Sequence, residues 1–270
     1  MAICSAKRYT GKGGRMTETT SGTEAAARVA DVLLLFTDGP STLGVSHIAR
    51  ELGLSKAVVH RILQSLAARG MVTLDAESRQ YRLGPSATAL GARAFRDSDL
   101  RFSALELLRE LRDKTGETAT LTQLVPNGRV YLDQVESTHE IKMTVELGRR
   151  FPLHAGGTGK CMLAYLPEAT RERILGHRLA ALTGDTVTDP EALRAELDEA
   201  RDLGYACSGG ERQADAGSVA APVFGMTGDV IGAISVCGPR YRITPAFVTE
   251  VAPLVVDVAA RISRRLGHPG

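Results

Sequence analysis

The sequence predicts an α+β protein built in two parts: an N-terminal winged helix-turn-helix, then, past a linker helix, a mostly antiparallel sheet with helices. Three observations predict it. Residues 44–83 read as two short helices, a tight turn and a two-stranded wing. Apolar spacing before Gly116 is helical, and after it the period changes to two. Between and beyond the later β-rich runs lie further helical stretches, which suits a layered sheet able to enclose a pocket.

The elements follow in order. Residues 1–20 are rich in Gly, Thr and Lys and are expected to be a disordered extension, with Met16 a candidate start. Ser21 and Glu24 stand at capping-box spacing and open a helix whose stripe is Val29, Val32, Leu33 and Phe36, stopped by Gly39-Pro40. Ile48 and Leu52 lie one turn apart in the next helix, and Gly53 sits just past its end. Leu54 fills the corner, and Ser55 is an N-cap for the following helix. There Val59, Ile62, Leu63 and Leu66 form one apolar stripe, and Gly70 closes it. Val72 and Leu74, a polar turn at 75–78, then Tyr81 and Leu83 make the wing.

The face left outside is basic, amide-bearing and small. In a winged helix-turn-helix the second helix enters the DNA major groove and the wing lies against the backbone. Arginine and glutamine fork onto base edges, and the basic wing residues suit phosphates. The candidate DNA-contacting set is therefore Ser55, Lys56, Ala57, His60, Arg61 and Gln64, with Arg79 and Arg82 on the wing. The plainer reading is a helical lobe with a basic solvated face. Agreement of cap, turn glycine, stripe and wing favours DNA.

Residues 86–96 are Ala-rich and lead, past a polar stretch at 96–99, into helical spacing of Phe102, Leu105, Leu108 and Leu111. The expected domains are 21–84 for DNA binding, 85–104 for the linker helix and 105–270 for the second domain. In that domain, runs 118–125 and 129–135 flank Pro126-Asn127-Gly128, a hairpin signal. Residues 141–147 read as a third strand. A loop at 149–157 feeds a helix to about Tyr165, and a short helix begins at Pro167. Asp189-Pro190 is an N-cap with proline at N1, and Gly204 closes that helix. Runs 219–224 and 230–236 pair next. Thr244-Pro245 opens a last helix, with Val251, Leu254, Val255, Val258 and Ile262 inward.

Charge needs care. Residues 1–84 hold 11 Lys/Arg against 7 Asp/Glu, but the four basic residues before Met16 supply the whole excess. DNA binding is thus argued from where charges sit rather than from their sum. No apolar run approaches the roughly 18 residues that span a bilayer, so no membrane partner is expected. The cysteines Cys4, Cys161, Cys207 and Cys237 lie far apart without metal-ligand spacing, which fits reduced thiols in the cytoplasm.

Other motifs resolve against chemistry. Gly156-Gly-Thr-Gly-Lys160 resembles a phosphate loop, yet that pattern needs glycine at 154 and Ser or Thr at 161, where the chain has His154 and Cys161. Its glycine-rich turn into a helix still offers N–H groups to an anion, or lets the helix pack closely on the sheet. His154 has no second histidine at ligand spacing and reads as a structural hydrogen bonder. Ser218 and Ser235 lack the sharp turn of a hydrolytic nucleophile. No catalytic residue, metal site or cofactor is expected.

Four segments together resemble the IclR family of bacterial transcriptional regulators: LGLSKAVVHRILQSLAARGMV with the wing ending YRLG, FPLHAGGTGKCMLAYLP, the GYA segment at Gly204 leading to SVAAPVF, and VIGAISVCGP. The resemblance spans 21–266. It implies a GAF-like C-terminal domain that binds a small organic acid effector, and a homodimer or homotetramer acting on a palindromic double-stranded DNA operator. Carried over by motif, the effector-binding positions are Ala155, Gly156, Gly157, Ser208, Ser218, Ser235 and Cys237. Many relatives have Thr-Ala at 156–157, an acid at 208 and cysteine at 218, so an aromatic acid and a sugar acid both stay open. The alternative is a small-molecule enzyme or sensor whose N-terminal lobe makes protein contacts.

Overall fold

The computed structural model describes residues 23–269. The expected N-terminal extension, Met16 and the Ser21 cap lie outside the described residues. Two compact units divide after Arg93.

In the first unit, α1 (Glu24–Leu35) is capped by Thr23, whose side chain accepts the Ala26 N–H, and it ends ahead of Gly39-Pro40. Val32 and Phe36 are buried, with Val29 and Leu33 packed beside them. Helix α2 (Val45–Leu52) ends at Gly53 in the left-handed region, φ 65°. Helix α3 (Lys56–Ala67) starts at Ser55, whose hydroxyl accepts the Val58 N–H at 3.3 Å. Its end is a Schellman turn: Gly70 takes φ 66°, its N–H reaches the Ala67 carbonyl, and the Met71 N–H reaches the Leu66 carbonyl. Val59, Leu63 and Leu66 are buried and Ile62 partly so, as the stripe predicts.

The wing is β1 (Val72–Leu74) paired antiparallel with β2 (Tyr81–Leu83). Asp75 folds its turn, accepting the N–H groups of Glu77 and Ser78 and the Ser78 hydroxyl. Leu43 adds a short third rung, exchanging two backbone hydrogen bonds with Tyr81. No sequence pattern announces a one-residue bridge.

Helix α4 (Pro85–Arg96) buries no residue, and Ser98 caps a separate helix, α5 (Asp99–Thr115). The segment expected as one linker, 85–104, is thus broken at 97–98. The stripe on α5 also differs from expectation. Leu100, Ala104, Leu107, Leu108 and Leu111 are buried, and Phe102 is 85% exposed.

The second unit centres on a six-stranded antiparallel sheet, order β5-β4-β3-β8-β7-β6. Strands β3 (Thr118–Val125) and β4 (Gly128–Val135) join through Pro126 and Asn127, the latter at φ 62°. After β5 (Arg150–Phe151) come α6 (Gly157–Tyr165), α7 (Glu168–Leu175) and α8 (Pro190–Leu203), the last capped by Asp189 and closed by Gly204. Strands β6 (Ala206–Gly209), β7 (Ala216–Phe224) and β8 (Val230–Pro239) complete the sheet, and α9 (Pro245–Arg265) ends the unit. One sheet face packs Leu121, Val219, Ile234 and Val236 against α5 and α9. The other packs Ala206, Ala220 and Ala233 against α6 and α8.

The expected third strand, 141–147, does not form. Only Leu147 bridges Tyr131, and Ile141 is 65% exposed. Side chains take over the backbone groups there. Gln134 accepts the Val145 N–H at 2.9 Å and donates to the Val145 carbonyl at 3.3 Å, Thr118 donates to the Met143 carbonyl, and Arg242 donates to that of Ile141. These bonds hold the backbone at Ile141, Met143 and Val145 without a ladder.

Candidate functional site

The helix α3 that buries Val59, Leu63 and Leu66 turns its other side to solvent. Ser55, Lys56, Ala57, His60, Arg61 and Gln64 are all exposed, as are Arg79 and Arg82 on the wing. Lys56, His60, Arg61 and Gln64 have no side-chain hydrogen bond or ion pair among the described residues. Arg79 occupies the left-handed region, φ 57°, at the end of the Asp75 turn. Hydrogen bonds from the Ser78 backbone and side chain hold the Asp75 carboxyl below its usual range, with Arg82 adding to that. One helix face and one wing edge thus carry donors that the fold does not consume.

The second set gathers on the α6 side of the large sheet. Ser208, Ser218 and Cys237 lie in register across β6, β7 and β8, and Thr118 of β3 continues the row. Ser235 stands one row over, opposite Ala220, and shares a 2.7 Å hydrogen bond with Thr120. Ala155, Gly156 and Gly157 form the entry to α6. Gly157 is required by close approach: a Cβ there would come within 2.9 Å of Ser218 Oγ and 3.2 Å of the Ala206 carbonyl. The loop and the strand row expected to share a site are therefore in contact. The Gly156 amide, one of those expected to meet an anion, donates to Glu211 at 3.1 Å.

Three charged residues at this site carry no sequence signal of burial. Arg129 on β4 is fully buried and donates to Thr158 Oγ1, the Ala155 carbonyl and the Pro152 carbonyl. Burial pulls its pKa down. Lys160 lies between Glu211 at 2.5 Å and Glu196 at 2.9 Å. Burial opposes its charge, yet the two carboxylates prevail and hold its pKa above the ordinary value. Glu211 is itself buried, in the β6–β7 connection. Charged residues in turns read from sequence as solvated.

His154 is buried with Nε2 at 2.9 Å from the Ala180 carbonyl, and burial lowers its pKa. Burial pushes the thiol of Cys237 up to about 12 and that of Cys207 to about 11, far from thiolate chemistry at neutral pH. No group of three or more His, Cys, Asp or Glu among the described residues could hold a metal ion. No described helix is long and apolar enough to cross a membrane.

A winged helix-turn-helix with a free basic face, followed by an α+β unit with a polar row beneath a glycine-rich loop, defines a transcriptional regulator with a sensing domain. Family models agree on both parts: "IclR helix-turn-helix domain" matches residues 25–76, and "Bacterial transcriptional regulator IclR C-terminal" matches 92–264. The chain belongs to the IclR family of bacterial transcriptional regulators. It is 36% identical over 252 residues to the HTH-type transcriptional regulator BhcR of Paracoccus denitrificans, covering 93% of this chain and 90% of that one. The crystal structure of an IclR transcriptional regulator from Silicibacter sp. TM1040 superposes with a TM-score of 0.82 at 31% identity, covering 90% and 96%. An IclR homologue from Microbacterium hydrocarbonoxydans, solved in complex with 4-hydroxybenzoate, superposes at 0.70 with 27% identity, covering 90% and 99%. The curated relatives are named as transcriptional regulators, which sets the enzyme alternative aside.

Proposed function

We propose that this regulator reads a palindromic operator with α3 and the wing, and answers to a small organic acid held by the 155–157 loop and the strand residues Ser208, Ser218, Ser235 and Cys237. The observation that carries it is the α3 face, where Lys56, His60, Arg61 and Gln64 are exposed and, among the described residues, without a side-chain hydrogen bond or ion pair. In this reading the first unit is the DNA-binding domain, α4 the linker and the second unit the GAF-like effector and oligomerisation domain. A homodimer or homotetramer in the cytoplasm presents paired recognition helices, which matches a two-fold operator. The complex of the Microbacterium relative with 4-hydroxybenzoate supports aromatic acids as the first ligands to try.

The test selects fragments of sheared host DNA with full-length protein at physiological salt and sequences them. Enrichment of a shared short palindrome is expected, and enrichment without shared sequence defeats the operator reading. On the recovered site, Arg61→Ala should cost about 1–3 kcal/mol and relax preference at one base pair. Arg82→Ala should weaken specific and non-specific binding alike and flatten the salt dependence. Parent-like behaviour of Arg61→Ala removes α3 from base reading, and an unchanged salt slope removes Arg82 from the phosphates.

A further inference from the structure

Arg212 follows Glu211 in the β6–β7 connection. Glu211 is pinned on both oxygens, by the Lys160 ammonium and by the Gly156 N–H. That fixes the backbone of its neighbour beside the entry to α6: a Cβ placed on Gly156 would lie 3.7 Å from Arg212 Cβ. From there the guanidinium reaches over two rings, its Cζ 5.2 Å from the Phe151 centroid and 5.6 Å from that of Tyr131. The rings meet edge to face at 5.6 Å and share a buried cluster with Val145 and Cys237. Arg212 therefore stands where the 155–157 loop and the Cys237 end of the strand row converge.

Its charge balance is unusual. Arg212 is half-buried, and among the described residues its side chain makes only ring contacts. Arg129, whose charge it opposes, is bound by two carbonyls and a hydroxyl rather than by a carboxylate. The nearby acid, Glu211, is spent on Lys160. Cations drawn out of water without a counter-charge are costly, and an anion relieves that cost. A guanidinium resting on aromatic faces keeps its plane and presents its edge, the geometry that takes a carboxylate on two parallel hydrogen bonds.

We propose that Arg212 is the specificity-determining residue of the effector site, taking the ligand's carboxylate on the edge of its guanidinium and discriminating against uncharged analogues. The proposal rests on the effector reading above. Lys160–Glu211 acts as the positioning pair, setting the reach of Arg212.

The experiment is calorimetric titration of full-length protein with benzoate, 4-hydroxybenzoate, pyruvate and gluconate, each beside its carboxamide. At least one acid should bind, and its amide should bind about tenfold more weakly or worse. Arg212→Met should lose a similar factor for the acid and none for the amide, with Arg212→Lys intermediate. Ser218→Val, which alters the strand row, should weaken acid and amide together. An amide bound as tightly as its acid by the parent overturns the proposal without any variant. An acid weakened by Ser218→Val and indifferent to Arg212→Met overturns Arg212 and leaves the effector site standing. An acid indifferent to both, or no binding of any acid at millimolar concentration, overturns the effector reading and the proposal together.

Discussion

Arg129 shows how one side chain can organise a site. Its three hydrogen bonds go to Pro152, Ala155 and Thr158, all in the stretch that turns into α6, so a single guanidinium gathers carbonyls that would otherwise face a dry interior. Arginine keeps its charge there, and its planar fork suits several acceptors at once. Replacing it with methionine keeps much of the volume and strands three buried acceptors. Arg129→Met should therefore lower the stability of the second unit by about 3 kcal/mol or more, read as a shift in its urea midpoint. An unshifted midpoint would show that the loop holds itself. Sequence reading finds residues whose role is local, such as the caps Ser55 and Asp189 or the turn glycines 53 and 204, because each acts within a turn of its own position. Arg129, Lys160 and Glu211 act across 23 residues or more, and nothing adjacent to them reports it.

At the scale of elements, α5 and α9 lie on the same sheet face and are clamped by charge at their margin. Glu110 accepts from Arg261 on both oxygens, at 3.0 and 2.9 Å, and from Lys114 at 2.8 Å. The Arg261 hydrogen bonds, then that of Lys114, hold the Glu110 carboxyl at about 2, below its unfolded value near 4.3. The folded state thus prefers the ionised form. The stabilisation is complete above pH ~4.3 and disappears as pH falls towards 2. About a third of each side chain is exposed, so screening keeps the effect small. Glu110→Gln should lower the Tm modestly at pH 7, and the gap from the parent should close between pH 5 and 2; a gap constant with pH would assign the loss to packing. Elements were legible where local chemistry and periodicity agreed, as in the Pro126-Asn127-Gly128 hairpin and the Val59-Leu63-Leu66 stripe. The run 141–147 misled because Gln134, Thr118 and Arg242 satisfy it from a distance. Strands β5 and β6, two and four residues long, are too short to show a period. Phe102 fits an apolar spacing, yet the neighbouring stripe through Leu100, Ala104 and Leu107 is the one the sheet covers.

For the molecule as a whole, each unit owns its core: Val32, Ile48, Val59 and Leu63 in the first, the two faces of the large sheet in the second. The two-part order was legible because hydrophobic period reports domain class directly; the grouping of Ser208, Ser218 and Cys237 was not, because it depends on which strands lie side by side. Separate cores imply separate cooperative transitions, since cooperativity follows shared burial. An effector shifts DNA affinity only by its differential binding to two arrangements, typically about 1–3 kcal/mol, which is small beside the stability of either unit. Heating should therefore resolve two transitions. Leu63→Ala removes a fully buried side chain of the first core at a cost of about 2–5 kcal/mol, and should lower one transition alone. An acid found by calorimetry should raise only the other, in proportion to its concentration over its Kd. If Leu63→Ala lowers both transitions together, the units unfold as one, and signalling in this regulator would run through a shared core instead of through two units biased by a ligand.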